Sequence, residues 1–243
     1  MRLALIGYGK MGHEIEKIAR ARGHEIVSVI DKDNVEDIDS EAFGRAEVVI
    51  EFTSPDTAYA NCMKAFERGK KVVSGSTGWM DRHGDEMKRR CKEEHRTLFW
   101  SSNFSLGVYV FFTVNKYLAH IMDNFPNYDV SMSETHHIHK LDAPSGTAIL
   151  LADAVNENMG EKLSYTYDRS ERHEPRRADE IGLCAIRGGT IVGDHDVIFA
   201  GEDEVITFSH RAYSRKIFAK GAISAAKFLN GKSKGLYDMS DII

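Results

Sequence analysis

Residues 134–147 read Glu-Thr-His-His-Ile-His-Lys-Leu-Asp-Ala-Pro-Ser-Gly-Thr, a concentration of groups able to move protons or hold charge. An unperturbed imidazole titrates at about 6.5, so His136 can give or take a proton near neutral pH. Lys140 is a compact cation that can donate a proton or pair with a charge on a substrate. Ser145-Gly146-Thr147 opens a helical pattern, and the free N–H groups of a helix N-terminus form an anion cradle suited to a carboxylate. A metal-binding reading competes, because imidazole is a common zinc ligand. Against it, His136 and His137 are adjacent and point to opposite sides of an extended segment, and no carboxylate or thiol completes an obvious set. Proton transfer without a metal, around a substrate that carries a carboxylate, is therefore the expectation.

A second constellation lies near residue 10. Gly7-Tyr8-Gly9-Lys10-Met11-Gly12 fits G-x-G-x-x-G, after an apolar run at 2–6 and before a helical pattern at 11–22. In that context the glycines permit a tight turn and bring backbone N–H groups to a pyrophosphate. Asp31 closes the second strand 19 residues after Gly12, where an acid can accept hydrogen bonds from a ribose diol. Lys32 beside it can meet a 2′-phosphate, so NADH and NADPH are both chemically plausible cofactors. Gly75-Ser76-Thr77-Gly78 and Ser101-Ser102-Asn103-Phe104 follow the fourth and fifth strands. Their small polar residues suit a nicotinamide ring, with Phe104 offering a wall.

The elements that must position these groups change character along the chain. Up to residue 105, strands at 2–6, 25–30, 48–52, 71–74 and 97–100 alternate with helices at 11–22, 57–68 and 81–94. Such alternation implies a doubly wound parallel sheet of Rossmann type, an α/β fold. Beyond it, helices at 107–120 and 147–159 mix with strand-like runs at 128–135, 181–187, 192–200 and 204–210. Gly188-Gly189 and Gly201-Glu202-Asp203 separate the last three runs, which predicts hairpins in an α+β domain with a mixed or antiparallel sheet. Residues 165–180 are charged and aperiodic, hence a solvated loop. A helix at 214–229 has a small face of Gly221, Ala222, Ala225 and Ala226 that can approach a neighbour closely. The expected domains are thus 1–105 for the dinucleotide, completed by 215–243, and 106–214 for substrate.

The 243 residues carry 32 basic and 37 acidic side chains, a formal charge of −5. A nucleic-acid coat would need a basic surplus, so no nucleic-acid partner is expected. The chain is 42% hydrophobic and 28% charged, a globular composition. No apolar run approaches the roughly 20 residues of a membrane span, and no secretory signal precedes the first strand. Cys62, Cys91 and Cys184 share no C-x-x-C spacing, which fits reduced thiols in a cytoplasmic protein.

The 134–147 stretch resembles the signature of the bacterial 4-hydroxy-tetrahydrodipicolinate (dihydrodipicolinate) reductases, E-x-H-H-x-x-K-x-D-A-P-S-G-T. Every fixed position of that pattern is present. The resemblance extends through the glycine fingerprint, Gly75 to Thr77, the Asn103-Phe104-Ser105 segment and the run from Arg187-Gly188-Gly189 to His195. It implies reduction of a cyclic dicarboxylate by NADH or NADPH with loss of water, on the diaminopimelate route to lysine. It also implies His136 as proton donor or acceptor, Lys140 as second proton donor, and His137, Ser145, Gly146 and Thr147 as substrate contacts. Gly7, Tyr8, Gly9, Lys10, Met11, Gly12, Asp31, Lys32, Gly75, Ser76, Thr77, Ser101, Ser102, Asn103 and Phe104 match cofactor contacts. Ser101-Ser102 departs from the family's common Ala-Pro, and Lys32 from its common arginine. The family typically forms homotetramers through the second domain's sheet.

Overall fold

The computed structural model describes residues 1–160, 163–167 and 173–242. They fall into two compact units, Met1–Leu106 with Lys216–Ile243, and Gly107–Arg215.

The first unit opens with β1 (Arg2–Ile6), α1 (Lys10–Ala21), β2 (Glu25–Ile30) and a one-turn α2 (Glu41–Gly44). It continues through β3 (Val48–Glu51), α3 (Ala58–Glu67), β4 (Lys71–Ser74), α4 (Met80–Glu93) and β5 (Thr97–Trp100). After the second unit the chain returns as α7 (Lys216–Asn230) and β11 (Gly235–Tyr237). The strands form one sheet in the order β11-β5-β4-β3-β1-β2, every neighbouring pair parallel. Strands covered on both faces read as continuous apolar runs, and β3, with Val48, Val49 and Ile50 at 1% exposure or less, is such a strand. The order reverses between β1 and β3, which opens a crevice beyond their C-terminal ends. α7 packs on β3, β4 and β5 through the small face read from sequence. A Cβ at Gly221 would lie 1.7 Å from the Phe104 carbonyl oxygen, so only glycine admits this approach. The 3-10 turn Val35–Asp39, α2 and β11 were not expected, being too short to show a period.

The second unit contains α5 (Leu106–Met122), β6 (Asp129–His136), α6 (Gly146–Asn156), β7 (Ser164–Thr166), β8 (Glu180–Arg187), β9 (Gly193–Ala200) and β10 (Val205–Ala212). Its sheet runs β10-β9-β6-β8-β7. β6 is parallel to β8 and antiparallel to β9, while β9 and β10 form the expected hairpin. The hairpin expected across Gly188-Gly189 does not form, because β6 lies between β8 and β9. A strand whose inner face is apolar gains most as a central strand, paired on both edges, and β6 takes that place. The loop expected at 165–180 also needs correction. β7 begins at Ser164 and pairs in parallel with β8, three residues being too few for alternation to reveal; residues 168–172 lie outside the described residues. One face of the sheet carries Val130, Met132, Ile181, Leu183, Val197 and Phe199 against helical residues such as Phe111, Leu151 and Val155. Elsewhere on the sheet, Cys184, Ile186 and Val205 stay exposed.

Candidate active site

Along β6 the buried positions are Val130, Met132, Glu134 and His136, two apolar residues followed by two polar ones on the same face. β9 behaves alike, burying Phe199 and Val197 and then His195 and Gly193. The register opposes Glu134 to His195 and, on the other side, His136 to Arg187. Pairing therefore assembles a polar cluster where each strand's inner face leaves the apolar core. Glu134 is its hub. Oε2 lies 2.7 Å from His136 Nδ1 and 3.8 Å from His195 Nε2. Oε1 accepts from Arg187 Nη2 at 2.8 Å and from the Ser145 N–H at 3.0 Å. Burial pushes the Glu134 carboxyl up, but donation from His136, Ser145 and Arg187 outweighs it and holds the group well below the usual carboxylate range. With Nδ1 against a carboxylate, His136 keeps Nε2 for other work. A Cβ at residue 193 would stand 2.9 Å from that nitrogen, so Gly193 preserves the space beside it. Burial, with His136 nearby, lowers the His195 pKa to about 4, so this imidazole is neutral at neutral pH.

The segment after β6 presents the remaining motif residues. Lys140 Nζ is 2.8 and 2.9 Å from the two Asp142 oxygens, and this partner lowers the Asp142 pKa. His137 Nε2 lies 3.3 Å from Arg215 Nη2; desolvation, then Arg215, lowers its pKa. His139 forms no part of the cluster around Glu134, its ring standing 6.3 Å from that of His137. Ser145 caps α6, its Oγ accepting from the Ala148 N–H at 3.2 Å and lying 3.3 Å from His195 Nε2. Gly146 and Thr147 then form the first turn, the Gly146 N–H facing the Asp142 carboxylate and helping to lower its pKa, an anion held at a helix N-terminus.

In the first unit the glycine fingerprint has the geometry a dinucleotide needs. Gly7 adopts φ +94°, and a Cβ there would meet the Phe52 carbonyl oxygen at 2.1 Å. A Cβ at Gly12 would meet the Gly7 carbonyl oxygen at 2.4 Å, whereas beside Gly9 there is open space. One glycine serves the turn, one the packing, and one leaves the backbone open to the space beside it. α1 has no side-chain cap and no acid in its first turn, which leaves its N-terminus for a pyrophosphate. At the switch point a crevice of about 160 Å³ is lined by Gly7, Asp31, Lys32, Thr53, Asn61 and Lys64, among others. Lys64 adds a cation that sequence reasoning missed. Ser76 is buried, and its carbonyl accepts from Trp100 Nε1 at 3.0 Å. Asn103 is held by Ser101, whose Oγ accepts from the Asn103 N–H at 3.1 Å. Phe104 corrects an expectation. Its ring is 2% exposed and packs 5.6 and 5.7 Å from Phe52 and Phe99, so it fills the core and forms no wall.

Glu134, His136 and His195 also supply the donor set that the sequence did not reveal, with ligand atoms within 4.8 Å of one another. The premise that no carboxylate completes the histidines is thereby overturned. The arrangement nevertheless suits a proton-sharing cluster better than a cation. Two ligands on a tetrahedral zinc at ~2.0–2.1 Å stand ~3.3 Å apart, farther than the 2.7 Å between Glu134 and His136. The other Glu134 oxygen is already committed to Arg187 and Ser145.

A doubly wound sheet with a glycine cradle, joined in one chain to a sheet that gathers clustered proton donors, defines an oxidoreductase dependent on a nicotinamide dinucleotide. Models of the dihydrodipicolinate reductase N-terminus and C-terminus match residues 1–104 and 107–243. The chain belongs to this family. It is 41% identical to the 4-hydroxy-tetrahydrodipicolinate reductase of Caldanaerobacter subterraneus subsp. tengcongensis, across 97% of this chain and 94% of that one. The enzyme of the same name from Christiangramia forsetii is 39% identical across 100% and 98%. Among solved structures, the dipicolinate-bound dihydrodipicolinate reductase from Paenisporosarcina sp. TG-14 shares the fold, with a TM-score of 0.78 at 23% identity, covering 100% of this chain and 99% of that one.

Proposed function

We propose that this chain reduces 4-hydroxy-tetrahydrodipicolinate to tetrahydrodipicolinate, oxidising NADH or NADPH and releasing water, in the diaminopimelate route to lysine. The observation that carries the reading is the Glu134-anchored His136 standing beside a helix N-terminus and Lys140 in one motif. A reduced nicotinamide, when bound, supplies the hydride. The chain's own residues do the rest. His136, fixed through Nδ1, offers Nε2 to deliver the proton that balances hydride addition to the ring. Lys140 exchanges the Asp142 carboxylate for a substrate carboxylate, and Gly146 and Thr147 receive a carboxylate at the start of α6, with His137 and Ser145 alongside. Asp31 accepts from the ribose hydroxyls, and Lys32 offsets its charge toward a 2′-phosphate, so both cofactors are tolerated with modest discrimination. Tyr8, Lys10 and Met11 with the three glycines hold the pyrophosphate; the 75–77 and 101–103 segments hold the nicotinamide end. Neither a metal nor a nucleic acid takes part, and the protein works in the cytoplasm as a homotetramer. Among the described residues no helix is long and apolar enough to cross a membrane.

The test is oxidation of reduced dinucleotide that depends on freshly made product of the preceding synthase. Alanine at His136 or Lys140 is expected to lower kcat by about a hundredfold or more, with dinucleotide affinity near that of the wild type and the two losses far from additive. Near-native kcat in both single variants sinks the assignment of proton donors.

A further inference from the structure

Glu51 ends β3, follows three apolar residues and is fully buried. Among the described residues the other two buried acids face cations, Glu134 meeting Arg187 and Glu180 meeting Arg177. No ion pair found among the described residues includes Glu51; it is surrounded by hydroxyl and N–H donors. Oε1 accepts from the Thr53 N–H at 2.9 Å, from Ser76 Oγ at 2.8 Å and from Thr53 Oγ1. Oε2 accepts from Ser74 Oγ at 2.6 Å. Two of these hydroxyls also receive hydrogen bonds, which leaves their own protons for Glu51. Thr53 Oγ1 accepts from Thr57 Oγ1 at 2.9 Å and Asn61 Nδ2 at 3.2 Å, and Ser76 Oγ accepts from the Thr53 N–H at 2.8 Å. The protons of this network therefore run inward and end on one carboxylate.

Burying a carboxylate without a cation is costly, and an apolar residue would serve the core at least as well. What the carboxylate adds is a tie between two segments, Thr53 beyond β3 and Ser76 beyond β4, both at the C-terminal rim of the sheet. Gly75 completes the tie, its N–H donating to the Glu51 carbonyl at 2.9 Å. We propose that Glu51 is a positioning residue for dinucleotide binding, its carboxylate setting the hydroxyls of Thr53, Ser74 and Ser76 and locking the rim segments after β3 and β4 together. The proposal rests on the reading that the 75–77 segment contacts the cofactor.

Glu51→Gln keeps the shape but places an amide donor where only acceptors fit, so at least one hydroxyl must turn round. Binding is read without turnover, by energy transfer from Trp79 and Trp100 to reduced nicotinamide. Trp100 is hydrogen-bonded to the Ser76 carbonyl and so reports this rim. Glu51→Gln is expected to raise the Kd for NADH and NADPH about tenfold, the scale of a lost hydrogen bond to a charged group. Dipicolinate binding and kcat at saturating dinucleotide should stay within about twofold, a split that general loosening of the fold would not give. If Glu51→Gln does not fold, Ser74→Ala removes one donor outside the rim segments and is expected to raise the same Kd about threefold. Unchanged dinucleotide Kd in the folded variants overturns the proposal while leaving the assigned activity standing. A wild-type protein that binds neither dinucleotide overturns the functional reading, and this proposal with it.

Discussion

His195 shows what the inner face of a sheet does to a titratable group. Burial and the nearby His136 bring its pKa down to about 4, against about 6.5 in an unfolded chain. Between those values the unfolded chain binds the extra proton and the folded one does not, so stability rises with pH there. The contribution is complete above about pH 6.5 and is lost as pH falls toward 4, amounting to roughly 3 kcal/mol. Urea unfolding at pH 7.5 and pH 5 should show a loss of stability that is clearly smaller in His195→Asn. Equal losses in the two proteins would mean that His195 is already charged when folded. The same group marks a limit of sequence reading. His136, Lys140 and the Ser145-Gly146-Thr147 cradle stand within one local motif, whereas Glu134, Arg187 and His195 meet only through the registers of β6 with β8 and β9. A signal was present, namely strands whose buried alternation turns from apolar to polar at one end. It identifies the polar end of each strand but not which ends adjoin. Glu51 is similar, an acid closing an apolar run, with two of its partners, Ser74 and Ser76, 23 and 25 residues away.

At the scale of elements, regular length decided what could be read. Strands and helices of the first unit repeat over enough residues for their periods to show, and the glycine fingerprint fixes where β1 gives way to α1. Three-residue β7 and β11 offer no period, and the Gly188-Gly189 pair resembled a hairpin turn because turn chemistry does not say which strand is the neighbour. The small face of α7 was visible, and its consequence can be measured. Gly221→Ala must push a methyl group against the Phe104 backbone, the position of closest approach between α7 and the segment after β5. Overpacking costs typically ~1–3 kcal/mol, and backbone yields less readily than side chains, so a loss of about 3 kcal/mol or more is expected. Ala222→Gly, on the same buried face, should cost only about 1 kcal/mol through helix propensity. Equal effects at the two sites, read by chemical denaturation, would remove the close approach as the reason for glycine.

For the whole molecule, the exposed strand face of the second unit is the feature that bears on the proposed tetramer. β10 is an edge strand with Val205 at 60% exposure, and Ile186 stands 49% exposed on β8, both on the face of the sheet opposite the apolar core. Exposed apolar edges invite pairing with another copy. Wild-type protein is expected to elute as a tetramer, and the double variant Ile186→Lys with Val205→Lys as a smaller species that retains its circular dichroism. A wild-type monomer by light scattering would set the tetramer aside. The route of the chain bears on a different property, the order in which the molecule is made. Synthesis reaches Leu106 with β1 to β5 complete, then spends about 110 residues on the second unit before α7 emerges. At ~5–20 residues per second the early sheet waits roughly 5–20 s for the helix that brings Ala222, Ile223, Ala226 and Leu229 to its core. The contiguous second unit meets no such delay. A nascent chain therefore has to keep one half-covered sheet from misassociating until α7 arrives to cover it.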